Sequence, residues 1–168
     1  IDRAHVEAKS VFNGVGLVKL MGRHSGFIAA AAVAASGEAN FCFVPEASVK
    51  LHGPDGFLVA LERRLAAKEH AVVVVAEGAG QEWLEECPAG HDASGNKILG
   101  DVGPHLADEI KKHFKSRNIP VTVKYFDPSY HIRSVPANAG DSLLCERLAR
   151  AAAHAGMAGK TDVRIGLW

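Results

Sequence analysis

Short unbroken apolar runs alternate along this chain with longer stretches in which apolar residues return every three or four positions. The clearest run is 71–76, where four consecutive valines, Val72 to Val75, suit a strand buried on both faces of a parallel sheet. The runs 15–20 and 121–126 and the segment Phe41-Cys42-Phe43-Val44, closed by Pro45, predict three more strands. The clearest periodic stretch is 103–117, with Leu106, Ile110 and Phe114 on one face and Lys111, Lys112 and Lys115 on the other, the pattern of an amphipathic helix. Helices are also predicted at the opening of the chain, over about 25–36, over about 55–69 behind Gly53-Pro54-Asp55, and over about 139–155 with Leu143, Leu144, Leu148 and Ala151 on one face. The stretch 81–99 carries clustered Gly, Pro, Asp and Asn and reads as a long excursion with a short helical turn at 82–86. The alternation predicts one α/β domain over 1–168, a Rossmann-like three-layer sandwich around a mainly parallel sheet, without repeats or a domain linker.

At 48% hydrophobic and 23% charged, the 168 residues have the composition of an ordinary folded domain. Nineteen Lys and Arg balance nineteen Asp and Glu, so bulk charge offers no basis for binding nucleic acid or an acidic membrane. Any anion site has to arise from local placement. Cys42, Cys87 and Cys145 lie far apart with no Cys-x-x-Cys pair, which suits a reducing compartment. The nine histidines form no His-Glu-x-x-His pattern, so no metal site is expected from this chain alone. The apolar stretch 27–35 is too short to span a bilayer and no signal peptide opens the sequence, so a soluble protein is expected. The chain starts at Ile1 as if inside a helix and stops in a strand-like run, 163–168; a domain truncated at both ends of a longer protein is the expectation.

Between the strand 15–20 and the helix after it lies Met21-Gly22-Arg23-His24-Ser25-Gly26. At a helix N-terminus, unpaired N–H groups and the positive end of the dipole favour an anion, which makes this turn a candidate phosphate or sugar-phosphate site. Arg23 adds a forked guanidinium, and Gly22 leaves room for a ligand to approach the backbone. The plainer alternative is a solvated arginine on an ordinary turn.

Ligands of open parallel sheets collect beyond the carboxyl ends of the strands. Met21-Gly22-Arg23 follows 15–20, Glu77 follows 71–76, and Tyr130 and Arg133 follow 121–126. Arg23 and Arg133 suit charge-assisted bonds to phosphate, Glu77 suits hydroxyl groups, Tyr130 offers a phenol and Lys124 a further positive charge. The competing roles are a Glu77 that caps the loop Gly78-Ala79-Gly80, a core Tyr130 and a solvent-facing Lys124. Ser25 and Ser129 lack histidine and acid partners at the spacing of a nucleophilic triad. Gly78-Ala79-Gly80 lacks the third glycine and the helix of a dinucleotide fingerprint, and His24 reads as a polar turn residue.

Taken in order, several stretches resemble the phosphofructokinase family, specifically its plant and trypanosomatid-like branch. They are Ala4-His5-Val6-Glu7-Ala8, the segment 13–29 through Met21-Gly22-Arg23-His24-Ser25-Gly26, Phe43-Val44-Pro45-Glu46, and Val75-Ala76-Glu77-Gly78-Ala79-Gly80-Gln81. Lys124-Tyr125-Phe126-Asp127-Pro128-Ser129-Tyr130-His131-Ile132-Arg133-Ser134 and Gly159-Lys160-Thr161-Asp162 complete the match. The resemblance implies that Met21, Gly22 and Arg23 form the turn that binds fructose 6-phosphate, that Glu77 contacts the sugar, and that Tyr130 and Arg133 close on the substrate. Lys124 stands where many members place an arginine that reaches the phosphate in a neighbouring subunit; lysine keeps the charge without the fork.

The family's Gly-Gly-Asp donor segment and its Thr-Ile-Asp-Asn-Asp segment, which supplies the catalytic base and helps hold magnesium, do not occur in these residues and would precede Ile1. The resemblance thus implies the sugar-phosphate half of a 6-phosphofructokinase, inactive alone, whose complete form transfers a phosphoryl group from ATP with Mg2+ as a homo-oligomer. The compartment would be the cytoplasm or an organelle such as a glycosome or plastid. The alternatives are a pyrophosphate-dependent enzyme and a non-catalytic sugar-phosphate-binding regulatory subunit.

Overall fold

The computed structural model describes residues 1–84, 90, 91, 93, 95, 96 and 98–167. It places four parallel strands, β1 (Gly14–Leu20), β2 (Phe41–Phe43), β3 (His70–Ala76) and β4 (Thr122–Phe126), in the order β2-β3-β1-β4. The all-valine stretch of β3 lies at the centre of the sheet, between β1 and β2, and is fully buried. That burial is what its unbroken apolar run anticipates.

Helices α1 (Asp2–Lys9), α2 (Phe27–Ser36), α3 (Phe57–Lys68) and α4 (Val102–Ser116) cover both faces. Along β1 the side chains alternate between the two faces, and each face has its own occupant. Gly14 and Gly16 face α1 so closely that a Cβ would lie 2.0 Å from the Ala8 carbonyl oxygen and 2.5 Å from that of Ala4. Lys19, on the opposite face, reaches Asp101 at the start of α4. The three-layer reading therefore holds. His5 Nδ1 on α1 lies 2.7 Å from Glu38 Oε2 just after α2, and His113 Nε2 on α4 lies 2.9 Å from Glu62 Oε2 on α3, which ties the helices within each layer.

The Gly16 contact carries a prediction. Gly16→Val should destabilise the full-length protein by about 1–3 kcal/mol or more, because β1 and α1 must separate to admit the side chain; an unchanged denaturant midpoint would contradict this packing.

Residues Ile1–Ser129 form one compact unit and a second begins at Tyr130, a division that no linker composition marks. The second unit holds most of a short helix, α5 (Ser129–Ser134), and the long α6 (Ala139–Met157). Asn138 caps α6 by accepting the Asp141 N–H at 2.9 Å. The leucine face expected on α6 is not buried: Leu143 and Leu144 stand 50% and 39% exposed. Residues 163–167, expected as a strand, lie in none. Apolar composition suits a strand only where a neighbour takes up its backbone groups, and no strand falls among the described residues of this unit. The expected turn at 82–86 corresponds to a 3-10 turn at Gln81–Trp83, and 85–86, Cys87 and Trp168 lie outside the described residues. Among the described residues, no helix is long and apolar enough to cross a membrane.

Candidate functional site: a carboxylate-clamped turn

The turn after β1 is fixed by an acid from the end of β3. Glu77 follows β3, and its own N–H donates to the Leu20 carbonyl at 2.8 Å, which brings the two strand ends together. Its carboxylate then turns onto the neighbouring chain: Oε1 accepts the N–H of Gly22 at 3.1 Å and that of Arg23 at 2.8 Å. Among the described residues Oε2 takes no bond. Both residues of the turn have positive φ, 147° at Gly22 and 50° at Arg23. The second is unfavourable for an arginine and persists because the carboxylate holds the two amides.

Glycine is required at two points of this contact. At Gly22 a Cβ would lie 2.3 Å from the Ser25 carbonyl oxygen, so its absence serves the turn itself rather than room for a ligand. At Gly78 a Cβ would lie 1.7 Å from the Arg23 carbonyl oxygen, so the loop after β3 packs directly under the turn.

A second carboxylate holds the far side. Glu46, after β2, accepts the Gly26 N–H with both oxygens, at 2.8 and 3.0 Å, and Gly26 is the N-cap of α2. The structure thus corrects the backbone half of the anion expectation. The amides of Gly22, Arg23 and Gly26, which would cradle an anion, already hold Glu77 and Glu46. Arg23 is exposed at the surface of the turn, so an anion binding here would have to be met by side chains rather than by these amides. Glu77 does not cap its own glycine loop; Gln81 secures it instead, with Nε2 donating to the carbonyls of Glu77 and Gly100 at 2.9 and 3.1 Å.

Met21, Gly22, Arg23 and Glu77 are therefore in one place, as read from the sequence. Lys124 is elsewhere: it lies opposite Gly16 inside β4, and its Nζ is 3.7 Å from Glu7 Oε2 on α1. Tyr130 and Arg133 belong to the second unit, on α5. The guanidinium stands 5.3 Å from the centre of the Tyr130 ring, and Tyr130 is 79% exposed, which excludes a core role for it within that unit.

The sequence gives no sign of an ion cluster at the ends of β1 and β4, in which a largely covered Lys19 meets two partly exposed carboxylates. Lys19 Nζ lies 2.9 Å from Asp101 Oδ1 and 2.9 Å from Asp127 Oδ2. Burial alone would lower the pKa of Lys19, but its bonds to Asp101 and Asp127 outweigh that and raise it. For Asp127 burial would raise the pKa, and bonds from Ser129 and Lys19 prevail and lower it.

The signs set a pH window. A carboxylate with a depressed folded pKa contributes stability above its ordinary value, about 3.9, and loses it as pH falls through the lower folded value. The raised lysine contributes below its ordinary value, about 10.4, and loses it as pH rises through the higher folded value. The difference in melting temperature between the unaltered protein and Lys19→Met should thus be flat from about pH 5 to 9 and shrink below about pH 4. A difference that persists unchanged to about pH 2 would contradict the pairing.

Compared with known proteins, residues 1–156 match a family model described as phosphofructokinase. This chain belongs to the phosphofructokinase family. An ATP-dependent 6-phosphofructokinase of Borreliella burgdorferi is 54% identical over 171 residues, covering 98% of this chain and 38% of that protein. The chloroplastic ATP-dependent 6-phosphofructokinase 5 of Arabidopsis thaliana is 48% identical, over 99% of this chain and 31% of that one. The ATP-dependent 6-phosphofructokinase of Trypanosoma brucei brucei is also 48% identical, over 99% and 34%. This phosphofructokinase chain thus spans about a third of the length of these curated relatives. Among solved structures, a phosphofructokinase from Saccharomyces cerevisiae aligns with a TM-score of 0.65 at 23% identity, covering 96% of this chain and 19% of that one. A pyrophosphate-dependent phosphofructokinase from Nitrosospira multiformis aligns with a TM-score of 0.63 at 23% identity, covering 95% and 36%. These two likenesses establish the shared fold.

Proposed function

We propose that this chain forms the fructose 6-phosphate-binding part of an ATP-dependent 6-phosphofructokinase, which makes fructose 1,6-bisphosphate from ATP and fructose 6-phosphate. The observation that carries the reading is the Glu77 clamp on Gly22 and Arg23, which fixes a surface arginine at the carboxyl ends of β1 and β3. Ligands of parallel sheets collect at such ends. Relatives named as ATP-dependent enzymes, 48–54% identical across nearly the whole chain, support the donor.

In this reading Arg23 holds the sugar phosphate, Met21 and Gly22 shape the turn beneath it, and Glu77 both fixes the turn and offers Oε2 to a sugar hydroxyl. Tyr130 and Arg133 are assigned to the same substrate on the family resemblance, and Lys124 to a neighbouring subunit's substrate in a homo-oligomer. Phosphoryl transfer runs on positioning and on neutralising charge. What this chain's residues supply is the first of these: a held acceptor.

Among the described residues, no group of three or more His, Cys, Asp or Glu side chains converges, and magnesium in phosphoryl-transfer sites is held by one or two carboxylates together with substrate phosphates. We assign the donor and metal sites to other parts of the complete enzyme, working in the cytoplasm or an organelle where both substrates are found.

A coupled assay of the full-length protein tests the reading. Fructose 1,6-bisphosphate should appear with ATP as donor. Production with pyrophosphate alone would overturn the donor assignment, and binding of the sugar phosphate without turnover by either donor would favour a regulatory subunit.

A further inference from the structure

We infer that Lys19 is a positioning residue for the sugar-phosphate site, an ion-paired tie that holds the ends of β1 and β4 and the start of α4 in one arrangement. The inference rests on the proposed substrate reading. It concerns a side chain that touches no assigned substrate group and acts through the segments it joins.

Each end of the tie meets a different segment of the first unit. Lys19 lies two residues before Met21, on the strand that delivers the clamped turn. Asp101 is the N-cap residue of α4, yet its side chain makes no capping bond; it is committed to Lys19. Asp127 stands just beyond β4 and is bonded at its other oxygen, Oδ1, by Ser129, which donates from its hydroxyl and, at 3.2 Å, from its N–H. Ser129 is the first residue of α5, the helix that carries Tyr130 and Arg133. One ammonium therefore joins the exit of β1, the entry of α4 and the exit of β4.

The surroundings favour a tie over an incidental surface pair. The Lys19 side chain is only 14% exposed, whereas exposed lysine pairs are held loosely. Tyr125 closes one side of the cluster: its hydroxyl is buried with no hydrogen-bond partner among the described residues, and a Cβ on Gly103 would lie 2.4 Å from it. With Lys19 removed, Asp101 and Asp127, 58% and 35% exposed, lose the cation they share, and the segments they lead lose that tie. A merely stabilising pair would change the melting temperature alone; a positioning residue also changes how the substrate is held.

The test is steady-state kinetics of the full-length protein with Lys19→Met, Lys19→Arg, Asp127→Asn and the Lys19→Met/Asp127→Asn double variant. Lys19→Met should raise the KM for fructose 6-phosphate by about tenfold while kcat stays within about twofold and the KM for ATP does not move. Lys19→Arg, which keeps charge and donors, should recover most of the loss. Asp127→Asn should raise the same KM, and the double variant should be no worse than the poorer single one, the mark of residues acting as one unit. If Lys19→Met does not fold, Asp127→Asn, of nearly the same shape, carries the same expectation. An active protein whose fructose 6-phosphate KM is indifferent to these changes overturns the inference alone. An unaltered protein that neither binds nor turns over fructose 6-phosphate overturns the substrate reading and this inference with it.

Discussion

Glu77→Ala in the full-length protein should lower kcat/KM for fructose 6-phosphate more than any other single change described here, by about 2–4 kcal/mol. Two charge-assisted bonds disappear, from Gly22 and Arg23, and both amides lose their acceptor. The loss reaches further than two bonds, because the carboxylate is what holds Arg23 at a φ of 50°. Freed of it, the turn relaxes to a favourable conformation and carries the guanidinium away from its position. Glu77→Gln keeps an acceptor oxygen without the charge, so its effect should be clearly smaller. Equal losses in the two variants would mean that the charge acts on the substrate rather than on the turn. A kcat/KM within about twofold of the unaltered protein in Glu77→Ala would remove the clamp from the site altogether.

Arg23→Ala is the second large effect. It removes the exposed cation and leaves the Glu77 bonds intact, because those go to the backbone. The expected loss is about 1.5–3 kcal/mol, roughly 10- to 100-fold, in kcat/KM for fructose 6-phosphate. Little or no change is expected in the KM for ATP. Arg23→Lys should fall between, retaining charge and losing the fork. Arg133→Ala should shift the same constant in the same direction, and unchanged kinetics in both alanine variants would exclude the two arginines from substrate binding.

The layered α/β fold was legible in the sequence wherever one signal dominated. The valines of β3 and the leucine, isoleucine and phenylalanine row of α4 state their burial directly, because pattern and environment agree. The helix α5 escaped notice: six residues with none buried leave no periodic trace. The run 163–168 misled for the opposite reason, since apolar residues suggest a strand whether or not a neighbour is present. In the site, Arg23 and Glu77 were visible as residues, but their relation was not. A carboxylate 54 positions away that fills the donors of a turn leaves no local signal. The turn consequently read as an open anion cradle when it is an occupied one. Lys19 was hidden likewise, because its partner Asp101 lies 82 positions along the chain.

The central claim is that the turn clamped by Glu77 holds the sugar phosphate through Arg23. Equilibrium binding of fructose 6-phosphate to the full-length protein without donor, measured by calorimetry for the unaltered protein and for Arg23→Ala, tests it most directly. The account predicts saturable one-to-one binding by the unaltered protein and a loss of roughly tenfold or more in affinity for Arg23→Ala, the two melting alike. Equal affinity in the two proteins would contradict it.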